Sequence, residues 1–260
     1  MALRMTKFWV AGVVALAAVG AMVTARAADP SALWHIVNDR CVPHEQKDHD
    51  PSPCALVELS DGVEKGYAIL KDINGATQFL LIPTERTSGI ESFSILVSDA
   101  PNYWDEAWRA RYFVEERAQQ PLPRDDLSLA INSTVGRSQD QLHIHIDCVR
   151  PDVRDALAAH QSEITPLWLP FPVPLAGHQY RAMRVEGDSL GDANPFRLLA
   201  DSDPKIAADM GQHTLVVVGM SFAGDKPGFV VLDDHADLAA GDRASGEDLQ
   251  DHACALAKGP

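Results

Sequence analysis

Basic residues are scarce in this 260-residue chain: 22 Lys and Arg stand against 37 Asp and Glu, a formal charge of −15. Such a surface repels phosphate backbones, and no cluster of arginines interrupts it, so nucleic acid is excluded as a partner. Any phosphate-bearing ligand has to be gripped locally. Long apolar runs are also lacking beyond residue 23, so no later segment is expected to cross a bilayer as a helix. The one run, residues 8–23, follows Arg4 and Lys7 and precedes Ala25-Arg26-Ala27, the three-part layout of an export signal. It falls just short of the ~17 residues that a spanning helix needs. Residues 1–27 are therefore expected to be a signal peptide or a retained anchor, with residues 28–260 exported. Removing the leader takes three positive charges with it and leaves −18.

Cysteine is sparse too, at positions 41, 54, 148 and 254, and no C-x-x-C occurs. A thiolate metal site or a catalytic cysteine is thereby the weaker reading, and in an exported chain disulfides are the stronger. Four cysteines allow three connectivities. A bridge between Cys41 and Cys54 would close the polar, aperiodic stretch between them, worth about 3 kcal/mol by loop entropy. It would leave Cys148 for Cys254, tying a strand to a C-terminal helix.

Short β-branched and aliphatic runs bounded by Gly, Pro, Asn or Asp read as strands: GYAIL (66–70), QFLLI (78–82), LSLAIN (127–132), QLHIHIDC (141–148), TLVVVGM (214–220) and GFVVL (228–232). Asn74-Gly75 between the first two signals a turn and antiparallel pairing. Helical periodicity marks residues 101–118, where Trp104, Ala107, Trp108 and Tyr112 share a face. A second helix is expected from Pro151, and a third over SGEDLQDHACALAK with Ser245 as N-cap and Gly259 as terminator. PLWLPFPVPLAG (166–177) is too rich in proline for either element and reads as an extended connection. Strand pairs interrupted by helices imply an α+β domain with an antiparallel sheet.

The segment RSQDQLHIHIDCVRPD (137–152) carries the chemistry. As a strand it places Gln141, His143, His145 and Asp147 on one face and Leu142, Ile144, Ile146 and Cys148 on the other. Two imidazoles on one polar face can be nucleophile, base or ligand near neutral pH. A bare His-x-His on a strand is more often exposed surface or an adventitious metal site, so its surroundings decide.

Those surroundings resemble the histidine triad (HIT) superfamily of nucleotide hydrolases and transferases. KDINGATQFLLIP (71–83) looks like its Asp, turn and strand ending in Ile-Pro. Gln141-Leu142-His143-Ile144-His145, preceded by Asn132 and by Gly136-Arg137-Ser138, looks like its His-x-His-x-His strand. Within the superfamily the chain is similar to the CDP-diacylglycerol pyrophosphatases, exported bacterial enzymes that cleave CDP-diacylglycerol to CMP and phosphatidate. The likeness runs through DPSPC (50–54), LKDING (70–75), PNYW (101–104), SLAINS (128–133), HIHIDCVRPDVR (143–154), GHQY (177–180) and DHAC (251–254).

The resemblance implies a HIT-like fold over residues 28–260, work at the periplasmic side of a bacterial inner membrane, and a reaction needing neither metal nor cofactor. It makes His143 the nucleophile, with His145 and Gln141 completing the triad. The departure is Gln141, which stands where the family carries histidine and can donate a hydrogen bond but never be cationic. Asp72 is expected to bind ribose hydroxyls. Asn132 and Ser138 are expected to bind the phosphates, and Arg137 or Arg150 to neutralise the second of them. The lipid half needs an apolar groove, for which PLWLPFPVPL is a candidate, although a plain core connection explains it more simply.

Two other functions stay open: the same chemistry on a soluble nucleotide diphosphate, and a non-enzymatic exported protein binding metal or lipid through His143 and His145. The sequence leaves oligomeric state undetermined. His178 lies in a family-like segment with no evident role. Asp233-Asp234-His235 is better explained as a polar turn after a strand than as a ligand cluster, and His252 as solvated or structural.

Overall fold

The computed structural model describes residues 29–258; the expected leader and Gly259 lie outside them. All nine strands join one antiparallel sheet: β1 (Leu56–Glu58), β2 (Tyr67–Lys71), β3 (Phe79–Pro83), β4 (Leu127–Ile131), β5 (Ile144–Cys148), β6 (Leu169–Pro170), β7 (Arg181–Glu186), β8 (His213–Phe222) and β9 (Lys226–His235). Their order is β1-β2-β3-β5-β4-β8-β9-β7-β6. The α+β class with an antiparallel sheet is as expected, and each of the six strand-like runs contributes to a strand. The last two pair along their full length, from His213 opposite His235 to Phe222 opposite Lys226.

Helices α1 (Ala32–Ile36), α2 (Val42–Asp48), α3 (Tyr103–Arg109), α4 (Tyr112–Ala118), α5 (Pro151–Ala159) and α6 (Pro195–Ala200) cover the sheet. None among the described residues is long and apolar enough to cross a membrane. Residues 101–118 form two helices where one was expected. Trp104, Ala107 and Trp108 are buried as the periodicity requires. The break at Ala110-Arg111 turns Tyr112 out, leaving it 42% exposed. The stretch between Cys41 and Cys54, read as aperiodic, is helical over Val42–Asp48, which continues without a break from a π-helical turn at Val37–Cys41. The expected C-terminal helix is absent. Two single 3-10 turns, Gly246–Leu249 and Ala255–Lys258, replace it, separated by a bridge from Gln250 to Val149.

The two faces of the sheet are unequal. One is a continuous apolar layer in which Ile69, Phe79, Leu81, Leu129, Ile144, Ile146, Val217 and Phe229 pack on the α3, α4 and α6 side chains Trp104, Trp108, Val114 and Phe196. The other carries two separate cores. Ala68, Leu70, Leu80 and Ile82 pack under α1 and α2. Ala130, Val216, Val230 and Leu232 pack under α5 and the connection before β7. His145 on β5 lies between Leu80 on β3 and Ala130 on β4, in the seam between those cores. Both disulfides form, Cys41–Cys54 and Cys148–Cys254. PLWLPFPVPLAG belongs to this packing through Phe171 and Leu175 and gives the sheet its short edge strand β6.

Candidate active site

Strand alternation holds from Leu142 to Cys148: Leu142, Ile144, Ile146 and Cys148 enter the continuous core, which leaves His143, His145 and Asp147 to the seam. His143 and His145 line a cavity of about 250 Å³ together with Asp72, Asn132, Ser138, Glu247, Leu33, Ile36 and Ile73. A larger hollow of about 850 Å³ opens beside the β8–β9 turn, but no histidine lines it. Another, of about 410 Å³, is lined by His213 and His235, so it is the pairing of His143 and His145 that singles out the smaller cavity as the candidate. PLWLPFPVPL does not reach this cavity, which corrects the proposed lipid groove. The larger apolar side chains at the site are Leu33, Ile36, Leu70 and Ile73, the last 98% exposed.

Each imidazole is fixed by what its Nδ1 meets. His143 Nδ1–H donates to the Gln141 carbonyl at 2.7 Å, because a carbonyl can only accept. That hydrogen leaves Nε2 with its lone pair. Burial, outweighing the Gln141 carbonyl, Glu247 and Asp72, pushes His143 below the ordinary imidazole range. Burial, then the neighbouring His143 and His252, push His145 well below it. His145 Nδ1 lies 2.8 Å from the Gln78 amide and 3.2 Å from Glu247 Oε1, and its Nε2 is buried without a partner among the described residues. One imidazole presents a lone pair and its neighbour an unpartnered ring nitrogen, with ring centres 4.8 Å apart.

The sequence-predicted residues divide. Asp72, Asn132, Ser138, His143 and His145 come together at the cavity. Asn132 is held by Glu247, donating to Oε2 at 2.6 Å. Gln141 stays out. Its side chain is fully buried away from the cavity. Its Nε2 donates to the carbonyls of Pro83 and Glu85, and its Oε1 accepts from Thr87 N–H. With both amide hydrogens taken, Gln141 has none for a phosphoryl oxygen, and the expected triad role is withdrawn. Gln141→His should accordingly bring no gain in turnover and should destabilise the fold by roughly 1–3 kcal/mol through orphaned backbone groups, as read by urea unfolding. Arg137 is also committed, its guanidinium bonded to Glu91 at 2.6 and 2.8 Å and to Asp140 at 3.2 Å. Arg150 is occupied by Asp152.

His252, Glu247 and Gln78 are members that sequence reasoning missed. Asp147 is fully buried and accepts from Thr77 Oγ1 at 2.7 Å and from His252 Nδ1–H at 2.9 Å. That hydrogen bond, ahead of the opposing effect of burial, raises His252 above the ordinary imidazole range. Gly75 makes the approach possible. Its φ is +68°, and a Cβ there would lie 2.9 Å from His252 Cβ, while Ala76 N–H donates to the His252 carbonyl. The sequence signals were the DHAC segment and Cys254, which the bridge to Cys148 brings to the end of the histidine strand.

The pH dependence of any reaction that uses His143 follows in sign. A lowered imidazole keeps its lone pair as pH falls, so activity should decline only below the ordinary value of 6.5, on an acid limb in kcat/KM. A limb centred at or above that value would contradict the burial argument.

Comparison with known proteins bears on which reaction that is. A protein from Yersinia pestis named CDP-diacylglycerol pyrophosphatase is 45% identical to the chain over 237 residues, covering 91% of this chain and 89% of that one. The family of that description matches residues 28–258, all but two of the expected exported residues and every residue of the cavity. The chain therefore belongs to the CDP-diacylglycerol pyrophosphatase family.

Proposed function

We propose that the chain hydrolyses the pyrophosphate bond of CDP-diacylglycerol to CMP and phosphatidate through a nucleotidyl-histidine intermediate on His143. The observation that carries this reading is the pair of imidazoles: an Nε2 lone pair on His143, fixed by the Gln141 carbonyl, beside a buried and unpartnered Nε2 on His145. The lone pair attacks the cytidylyl phosphorus, the bond from that phosphorus to the bridging oxygen breaks, and phosphatidate leaves with the oxygen. His145 donates to the phosphoryl oxygens where charge accumulates, and the Gln141 carbonyl holds the Nδ1–H as His143 becomes cationic. Water then cleaves the phosphorus–nitrogen bond, releasing CMP and restoring the imidazole.

The likeness to the histidine triad strand supports this order of events. Asp72 stands at the cavity rim for the ribose hydroxyls. The cavity is far too small for two acyl chains, so these have to extend past the exposed Ile73. The leader and the two disulfides support placing the reaction at the periplasmic side of a bacterial inner membrane. Incubating the purified chain with CDP-diacylglycerol in detergent and following CMP by chromatography tests the reading. Release should persist in excess chelator, and its absence at high enzyme concentration would overturn the assignment.

A further inference from the structure

About the junction of β9, β7 and the loop after β9, away from the imidazole pair, three groups converge that the sequence left without a role. His178 sits on the Leu175–His178 turn that leads into β7. Asp234 is the penultimate residue of β9. Asp242 closes the following turn by bridging to Asp237. One ligand atom from each lies within 4.8 Å of the others. Donors on a single ion bound at ~2.0–2.2 Å can be at most ~4.4 Å apart, so small side-chain rotations suffice to close the set.

The detail that points to a ligand is Asp234. Its side chain is 8% exposed, its Oδ1 accepts from the His235 N–H at 2.8 Å, and its Oδ2 is buried with no partner among the described residues. Facing it is a second carboxylate, Asp242, whose own contacts are His178 Nδ1 at 2.7 Å and Ala244 N–H at 2.8 Å. Asp248 adds a further acidic group nearby. A buried carboxylate oxygen that faces another carboxylate and lacks a donor is costly unless a proton or a cation lies between them. Consistent with that cost, burial and Asp242 push Asp234 up to about 7.

We propose that His178, Asp234 and Asp242 form a divalent-cation site of the Zn²⁺ or Mn²⁺ type. One imidazole and two carboxylates suit a borderline transition metal, whereas Ca²⁺ takes six to eight oxygens. The ion would clip three segments distant in the chain: the turn before β7, the end of β9, and the loop that continues from Asp242 toward Glu247. Ala244 and Arg243 in that loop already accept from Ser133, so the clip fixes a strap whose far end holds Asn132. It is structural and contacts no substrate, and it is independent of the hydrolase reading.

The test is equilibrium dialysis of the full, chelator-stripped chain against ZnCl₂, combined with thermal melting. One Zn²⁺ per chain should bind at the tightest site and raise Tm. His178→Ala and Asp242→Asn should each weaken that binding at least tenfold and abolish the Tm increment. Asp234→Asn should do the same, yet melt no lower than wild type without metal, because it removes one of two facing carboxylates. Added Zn²⁺ should also slow hydrogen exchange over residues 237–244. Zinc binding of the same affinity in Asp242→Asn, a turn substitution outside the apolar cores, would mean adventitious surface histidines and overturn the proposal. So would the absence of stoichiometric binding to the wild type.

Discussion

His143→Ala is expected to lower CMP release from CDP-diacylglycerol by at least ~10⁴-fold, to the limit set by contaminating activity. The imidazole supplies the only lone pair in the cavity that is both neutral and held in a fixed tautomer: Nδ1–H is tied to the Gln141 carbonyl, and burial keeps the ring unprotonated. On the proposed mechanism, removing it removes the bond-forming atom, and the second imidazole, His145, has its Nδ1 tied to Gln78 and Glu247. His145→Ala should behave differently, losing a donor and slowing turnover by about 10²-fold, the usual cost of one oxyanion-type contact. Rapid quenching of wild type with labelled CDP-diacylglycerol should yield a CMP adduct on a peptide containing residue 143, and none from the variant. Wild-type release by folded His143→Ala, checked by near-UV circular dichroism, would sink the nucleophile assignment.

How much of this was legible in the sequence depends on the range of the interactions. Alternation along Leu142–Cys148 is a local property and placed His143, His145 and Asp147 correctly. It failed at Gln141 because the segment after β3 claims that amide through Pro83, Glu85 and Thr87, a contact that no local pattern shows. Tyr112 was misplaced because a 3.6-residue period cannot show the break at Ala110-Arg111. Glu247 and His252 lie more than 100 residues from the strand they serve, and no periodicity links them. The Cys148–Cys254 pairing is the one link between the two regions that the sequence could suggest, and a cysteine count shows that it is available without showing what else it carries. The two cores on the site's face were visible as separate apolar runs, but the polar seam between them required the strand order, in which β5 lies between β3 and β4.

Removing the bridge between Cys148 and Cys254 should have the largest effect on stability. The two cysteines are 106 residues apart in sequence, against 13 for Cys41 and Cys54. Loop closure makes the longer bridge worth about 4–5 kcal/mol and the shorter about 3 kcal/mol. Both ends of the longer bridge are buried, Cys148 fully and Cys254 at 1% exposure, so Cys254→Ala also leaves an unpaired thiol in the apolar layer. For a domain of this size each kcal/mol corresponds to roughly 2–4 °C, so Tm should fall by about 10–15 °C, clearly more than in Cys54→Ala. The functional consequence follows from position. Cys254 holds the segment on which His252 donates to the fully buried Asp147; on the C-terminal side of His252 it is the covalent anchor, while the Asp251 backbone bond to Cys148, the Gln250–Val149 bridge and the Gly75 approach hold the other side. Turnover of Cys254→Ala should therefore fall even well below its melting temperature, and reduced wild type should share the loss, whereas Cys54→Ala should keep its rate. Equal destabilisation of the two variants, or full turnover in Cys254→Ala at low temperature, would show that the bridge neither closes a costly loop nor positions His252.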